Sequence, residues 1–398
     1  MDFSIATTKE EESFRKEVQD FIKREAGDIE IASSPGGSYT DESNVATRRL
    51  ARKFGDKGWL SLTWPEEYGG KGDAGIPYKL VLTEEMSKIN MMSINGFGLD
   101  MLAPILLAHG TEEQKRKHLI PMGKGEVFWC EGFSEPNSGS DLFSLQTKAV
   151  DMGDHFLVNG QKIWTTGAHR ADWGFFLVRT DSNAPKQHLG ISFLLIDMKT
   201  PGVNPKPIRN MIGTEDFCET FLDDVIVPKE NLVGELNGGA RVAGALLNAE
   251  RSSLVLLGRG ARRNMNRLLE YIKERDDKGL LRVDKNVWLS KLADIAIKAE
   301  IAGLFGQYTY WQQSQGRDFT LMASIGKLFG SELTQQVTDL STQLLGLQGQ
   351  LMRGSPAAWQ DGIIGETYLS SHQSRLIGGS SEIQRTTIAV RGLGLPRV

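Results

Sequence analysis

The stretch HFLVNGQKIWTT, residues 155–166, changes the character of the chain. Before it, apolar residues recur at helical intervals; within it, β-forming residues dominate. Asn159-Gly160 lies between two β-rich runs and predicts a two-residue hairpin turn. WGFFLVRT (173–180), GISFLLIDM (190–198) and ETFLDDVIVP (219–228) read as three further strands, separated by Pro and Gly. Residues 128–235 therefore read as one small β-domain.

The flanks differ on both sides. Phe14, Val18, Phe21 and Ile22 recur at helical spacing near the start. SSPGGS (33–38) and the Gly-rich WPEEYGGKGDAG (64–75) break the helical pattern, which resumes around 76–92 and 97–110. Thr111 is the expected N-cap of the next helix. Past residue 238, Leu254, Leu257, Ala261, Met265, Leu268 and Ile272 form one stripe at spacings of three and four. A second long helix is expected over 287–311 and a third over 320–346. Ser381 to Gln384 reads as a capping box opening the last helix. Helices, then strands, then helices is a segregated pattern and predicts an α+β protein, divided at 1–127, 128–235 and 236–398.

The bulk numbers narrow the function. A chain of 398 residues with 40% hydrophobic and 24% charged residues suits a globular protein of two or three domains. The formal net charge of −4 argues against a nucleic-acid partner. Cys130 and Cys218 form no CxxC pair, and the six histidines lack metal-ligand spacing, so no metal is expected. Apolar runs are too short to span a bilayer, and the acidic start MDFSIATTKEEE is unlike a signal peptide; the expected location is cytoplasmic. GRGARR (258–263) lacks the third glycine of a dinucleotide fingerprint and follows a helical stretch.

WCEGFSEPNSGSDL (129–142), NGQKIWTTGAHRADWGFFLVRTD (159–181) and SRLIGGSSEIQRTTIAVRGLGLPR (374–397) occur in this order. Together they resemble the acyl-CoA dehydrogenase family over nearly the whole chain. The resemblance implies an N-terminal helical domain, a middle β-barrel and a C-terminal four-helix bundle. It also implies non-covalent FAD, an acyl-CoA substrate, an electron-transfer flavoprotein as partner, and a homotetramer or dimer of dimers.

By that resemblance, the Phe133 backbone and Ser134 meet the flavin ring, and Ser140 lies near the pyrophosphate and CoA. Small residues and glycine allow such a loop to curl around a ligand; alone, the segment could equally be a polar surface turn. Trp164 would pack on the flavin and Thr166 bond near N5. Strand alternation puts both on one face, although a core Trp beside a surface Thr would look the same. Ser380 and Glu382 match positions that approach FAD, at a helix N-terminus suited to phosphate. Arg275 and Gln343 match positions that hold its adenine end from a neighbouring subunit. Lys278 and Leu347 depart from the pattern there.

A larger departure concerns catalysis. Many family members carry the catalytic Glu where this chain has Gly378, which has no side chain to accept a proton. Glu250, read as the start of the long helix, falls on its apolar stripe four residues before Leu254, where a carboxylate needs a purpose or a partner. Burial would raise its pKa, as suits a base, and a subset of the family acting on branched, long or bulky acyl groups places its Glu there. The alternative is an ion pair of Glu250 with Arg251 or a neighbour. The Gly378 N–H survives the loss of the side chain and matches the group that polarises the thioester carbonyl. Asn248 and Arg251 match positions near CoA. Asp100 is an isolated acid in apolar company: an acyl-pocket residue, or a helix-end carboxylate or N-cap. The expected activity is α,β-dehydrogenation of a branched, alicyclic or bulky acyl-CoA. The rivals are a base-deficient subunit of a mixed assembly and an oxidase or monooxygenase on the same scaffold.

Overall fold

The computed structural model describes residues 8–25, 41–88, 94–254, 257–274 and 284–396. The chain forms two compact units, divided between residues 247 and 248. The first unit opens with α1 (Lys9–Glu25), α2 (Asp41–Asp56), α3 (Ile76–Lys88), α4 (Ala103–His109) and α5 (Glu112–Gly123). Val18, Phe21 and Ile22 of α1 are buried, and Phe21 meets Phe54 and Trp59 edge-on at ring separations of 5.0 Å. Thr111 caps α5 as its sequence predicts: its hydroxyl accepts from the Gln114 N–H, and the Gln114 side chain accepts from the Thr111 N–H.

Eight strands follow: β1 (Trp129–Gly132), β2 (Lys148–Asp151), β3 (His155–Thr166), β4 (Trp173–Arg179), β5 (Ile191–Asp197), β6 (Val203–Ile208), β7 (Phe217–Pro228) and β8 (Leu232–Val233). They pair in the order β6-β7-β3-β2-β4-β5-β8, with β1 beside β4. One register pair, Lys148↔Arg179, joins β2 to β4. Phe156, Val158, Leu222 and Val225 from one half share a core with Phe176, Val178, Leu194 and Ile196 from the other, so the sheet rolls up on itself as the expected barrel does. The opposite face of β4 and β5, carrying Phe175, Leu177, Phe193 and Leu195, joins the core beneath the N-terminal helices. Burial on both faces explains their unbroken apolar runs.

The expected hairpin at Asn159-Gly160 is not there. β3 runs straight through both residues and pairs antiparallel with β7 along its length. Between Val158↔Val225 and Gly160↔Leu222, β7 carries one extra residue, a bulge whose Asp224 has a φ of 50°. The Asn159 amide donates to the Asp224 carboxylate at 3.0 Å and accepts from the Asp224 N–H at 2.9 Å. Gly160 is needed for space: a Cβ there would lie 2.6 Å from the Thr147 hydroxyl. The dipeptide that favours a turn thus serves a bulge and a close backbone approach.

In the second unit, α7 (Leu257–Tyr271), α8 (Lys285–Ser314), α9 (Thr320–Leu345) and α10 (Ile363–Ser374) pack as a bundle. Its core includes Ala261, Met265, Leu268 and Ile272 from the predicted stripe, Leu292, Ile295 and Ala299 from α8, and Leu333, Val337 and Leu344 from α9. α11 (Ser381–Thr387) follows. α6 (Gly239–Leu254) straddles the division between the units. Glu250 is the twelfth residue of α6, which begins at Gly239, so it does not stand at a helix start. Residues 255–256, which would carry the stripe from Leu254 to Leu257, lie outside the described residues.

Candidate active site

Within the first unit, the segment after β1 folds as a polar loop over the end of the sheet. Glu135 and Ser138 exchange backbone hydrogen bonds at 2.9 and 3.0 Å, and the Ser138 hydroxyl donates to the Asp141 carbonyl at 2.9 Å. Beneath the loop lies a buried ion pair that sequence reading missed. The Lys162 ammonium meets Glu135 Oε1 at 2.8 Å and donates to the Phe133 carbonyl at 3.1 Å. Glu135 also accepts from the Gln146 and Thr147 N–H groups at 2.6 and 2.8 Å. Burial would raise the Glu135 carboxyl, but Lys162 and these donors hold it below its usual range. Burial pushes the Lys162 ammonium down against the pull of Glu135. Removing one partner of such a pair strands a buried charge, typically at about 3–5 kcal/mol. The signal was present: counting by twos from buried Phe156 and Val158 puts Lys162 on the inward face of β3.

Continued alternation would have buried Trp164 too. One extra residue on β3 between Lys162↔Thr220 and Thr165↔Cys218 prevents that. Trp164 has a left-handed φ of 61°, and its indole is 58% exposed. It meets the Phe217 ring at 6.2 Å, and Phe217 is the register partner of Thr166. Trp164 and Thr166 thus share a face, as expected, because of a bulge rather than regular alternation. An aromatic residue in this conformation is strained, a state that concentrates at functional positions. Phe133 is buried, Ser134 and Thr166 are half-buried, and Ser140 is exposed.

In the second unit, Gly378 and Gly379 follow one another with φ of 60° and 86°, a turn that side chains disfavour. The buried Gln384 amide donates to the Gly378 carbonyl at 2.9 Å, and the buried Lys327 ammonium donates to the Gly379 carbonyl at 2.8 Å. The capping box expected at Ser381 is shifted by one residue. Ser380 is the N-cap, its hydroxyl accepting from the Ile383 N–H at 3.4 Å. Ile383 cannot complete a box, and Gln384 instead braces the glycine turn. The exposed Glu382 carboxyl is held below its usual range by its own N–H and the Ser380 hydroxyl.

Other expected residues fall as follows. Gln343 is exposed on α9 and donates to Asp339 at 2.8 Å; Leu347 is 82% exposed. Asp100 lies in the first turn of a π-helical segment, Phe97–Leu102, that leads directly into α4, so it is a helix-end carboxylate and not the N-cap, which is Gly96; Lys79 of α3 pairs with it at 3.0 Å. Glu250, Asn248 and Arg251 belong to α6, but their side chains lie outside the described residues, as do Arg275 and Lys278 entirely.

The first unit's groups suit a flavin. The hydroxyls of Ser134, Ser140 and Thr166 have no protein partner among the described residues, and an exposed indole stands beside Thr166. A Cβ on Gly139 would meet only open space, so no neighbour within the protein accounts for that glycine. Free hydroxyls beside an apolar plane can hold a ring with polar edges.

Family models cover the chain in three successive parts: the acyl-CoA dehydrogenase N-terminal domain over residues 8–126, the middle domain over 130–225 and the C-terminal domain over 237–393. The chain belongs to the acyl-CoA dehydrogenase family. It is 34% identical to the acyl-CoA dehydrogenase FadE26 of Mycobacterium tuberculosis, with 99% of each chain covered. A solved structure described as the Tcur3481-Tcur3483 steroid ACAD superposes over 100% of both chains, with a TM-score of 0.87 and 29% identity. The ChsE4-ChsE5 complex from Mycobacterium tuberculosis gives a TM-score of 0.83 at 31% identity, again over 100% of both chains. As an acyl-CoA dehydrogenase the chain is an FAD-dependent oxidoreductase. Among the described residues, no helix is long and apolar enough to cross a membrane.

Proposed function

We propose that this acyl-CoA dehydrogenase desaturates the Cα–Cβ bond of a branched, alicyclic or steroid-side-chain acyl-CoA, with Glu250 as the base. One observation carries the reading: where many relatives place the catalytic Glu, this chain has Gly378 in a left-handed turn, while α6 supplies a carboxylate at 250. The similarity to a steroid ACAD supports the substrate class.

In this mechanism the Gly378 N–H donates to the thioester carbonyl and stabilises the developing enolate, lowering the acidity barrier at Cα. Glu250 accepts the α-proton. Asn248 and Arg251 bind CoA, while the Phe133 backbone, Ser134, Ser140, Trp164 and Thr166 hold and orient FAD. Ser380 and Glu382 approach FAD, and Arg275 and Gln343 of a neighbouring copy of the chain hold its adenine end. Bound FAD supplies the acceptor for the hydride leaving Cβ. Electrons then pass to an electron-transfer flavoprotein. Lys79 already balances the charge of Asp100, so its part is to shape the acyl pocket.

A panel of CoA esters with an artificial electron acceptor tests the assignment. Glu250→Gln should keep FAD and lose roughly 10²–10⁴-fold in turnover; a variant that retains most activity would refute the base.

We also propose that the chain self-associates. Ile297, Ile301, Leu304, Tyr308 and Trp311 recur on α8 at spacings of four and three, opposite its core-facing Leu292, Ile295 and Ala299, and are 36–62% exposed. A helix apolar on two faces requires a second covering. A base-deficient subunit of a mixed assembly is the second reading, favoured by Gly378. Light scattering separates the two: a purified chain that is a monomer without flavin supports the mixed assembly, and an FAD-loaded oligomer excludes it.

A further inference from the structure

The Glu135–Lys162 pair sits directly behind the peptide that the proposed flavin site uses. Lys162 is fully buried and donates to the Phe133 carbonyl at 3.1 Å. A planar trans peptide aims its carbonyl and its N–H in opposite directions. The carbonyl of the Phe133–Ser134 peptide faces Lys162, so its Ser134 N–H faces away from the ammonium. A positive charge at the carbonyl end withdraws electron density from the peptide and strengthens the N–H as a donor. Glu135 fixes the arrangement from below. Its carboxylate holds the ammonium at 2.8 Å and, through Gln146 and Thr147, ties the far end of the loop to its beginning. Ser134 is itself clamped to β3, its carbonyl accepting from the Ile163 N–H at 2.9 Å. Rotating this peptide breaks the buried hydrogen bond from Lys162, and the next peptide along is held to β3.

We propose that Glu135 and Lys162 are positioning residues that lock and polarise the Phe133–Ser134 peptide, so that the charge on Lys162 makes bound FAD easier to reduce. The proposal rests on Phe133 and Ser134 meeting the flavin. Its test is the affinity, absorbance spectrum and midpoint potential of FAD bound to the full-length protein. Lys162→Met should weaken FAD binding by roughly tenfold and move the potential to more negative values. Glu135→Gln should also move it to more negative values, since a buried Lys162 without its carboxylate gives up its proton. The double variant Glu135→Gln/Lys162→Met buries no unpaired charge and so decides the matter where a single variant fails to fold; it should bind FAD at a more negative potential than the wild type. Wild-type affinity, spectrum and potential in the double variant would overturn the proposal. Failure of the wild-type chain itself to bind FAD would instead overturn the flavin-site reading beneath it.

Discussion

At Gly160 a single methyl group decides whether β3 can lie against the Thr147 backbone. The nearest atoms to a Cβ there are 2.6–2.8 Å away, and two of the three belong to the Thr147 side chain. Gly160→Ala should therefore destabilise the protein by about 1–3 kcal/mol, read as a lower denaturant midpoint at unchanged slope. An unchanged midpoint would mean that Thr147 gives way freely. The same residue shows why part of the site was hidden in the sequence. Asn-Gly is shared by turns and bulges, and local chemistry cannot tell them apart; the missing information was the extra residue on β7, far along the chain. Trp164 and Thr166 were placed on one face by counting, yet a bulge brings them together. Lys162 was legible from the same count, but a lysine at an inward position reads as an error until its carboxylate, 27 residues earlier, is located.

Helices and strands were more legible where their ends carry chemistry. α5 opens with a complete box, and Gln114 extends it by donating to the Glu230 and Leu232 carbonyls at 2.7 and 2.8 Å, pinning the helix to the edge of β8. Thr111→Ala should lose about 1 kcal/mol, measured by chemical denaturation, while Gln114→Ala should lose more because it also frees two carbonyls. Equal losses would show that the link to β8 contributes nothing. At α11 the expected cap, Ser381 with Gln384, gives way to its neighbour Ser380, because Gln384 is turned to the Gly378 carbonyl and with Lys327 fixes the turn from below. The stripe on α7 was readable because its core face repeats. The matching stripe on α8 was masked because that helix is apolar on opposite sides, leaving no clear amphipathic direction.

Across the whole molecule, the order of helical, β and helical segments was written in the periodicity, whereas the charges that hold them together were not. His118 is the clearest case. Its ring lies 5.2 Å from Trp129 and 4.8 Å from Trp173, and its Nε2 has no hydrogen-bond partner among the described residues. Burial, assisted by Lys117, pushes its pKa down to about 4 from the ordinary 6.5. The folded protein thus takes up this proton less readily than the unfolded chain. Its contribution is present in full above pH 6.5 and is lost as pH falls through about 4, by on the order of 3 kcal/mol. His118→Phe should flatten stability measured across that range; an unchanged slope would place the titrating group elsewhere. Arg179 occupies the one register pair linking β2 and β4, and its guanidinium also donates to the carbonyls of Leu145, Phe143 and Gln187. The rolled sheet therefore has a crease closed by one register pair and the adjoining Arg179 N–H, which donates to the Thr147 carbonyl at 2.7 Å. In deuterated solvent the amides along that crease would be among the first of the β-domain to exchange, with the ladders on either side still closed.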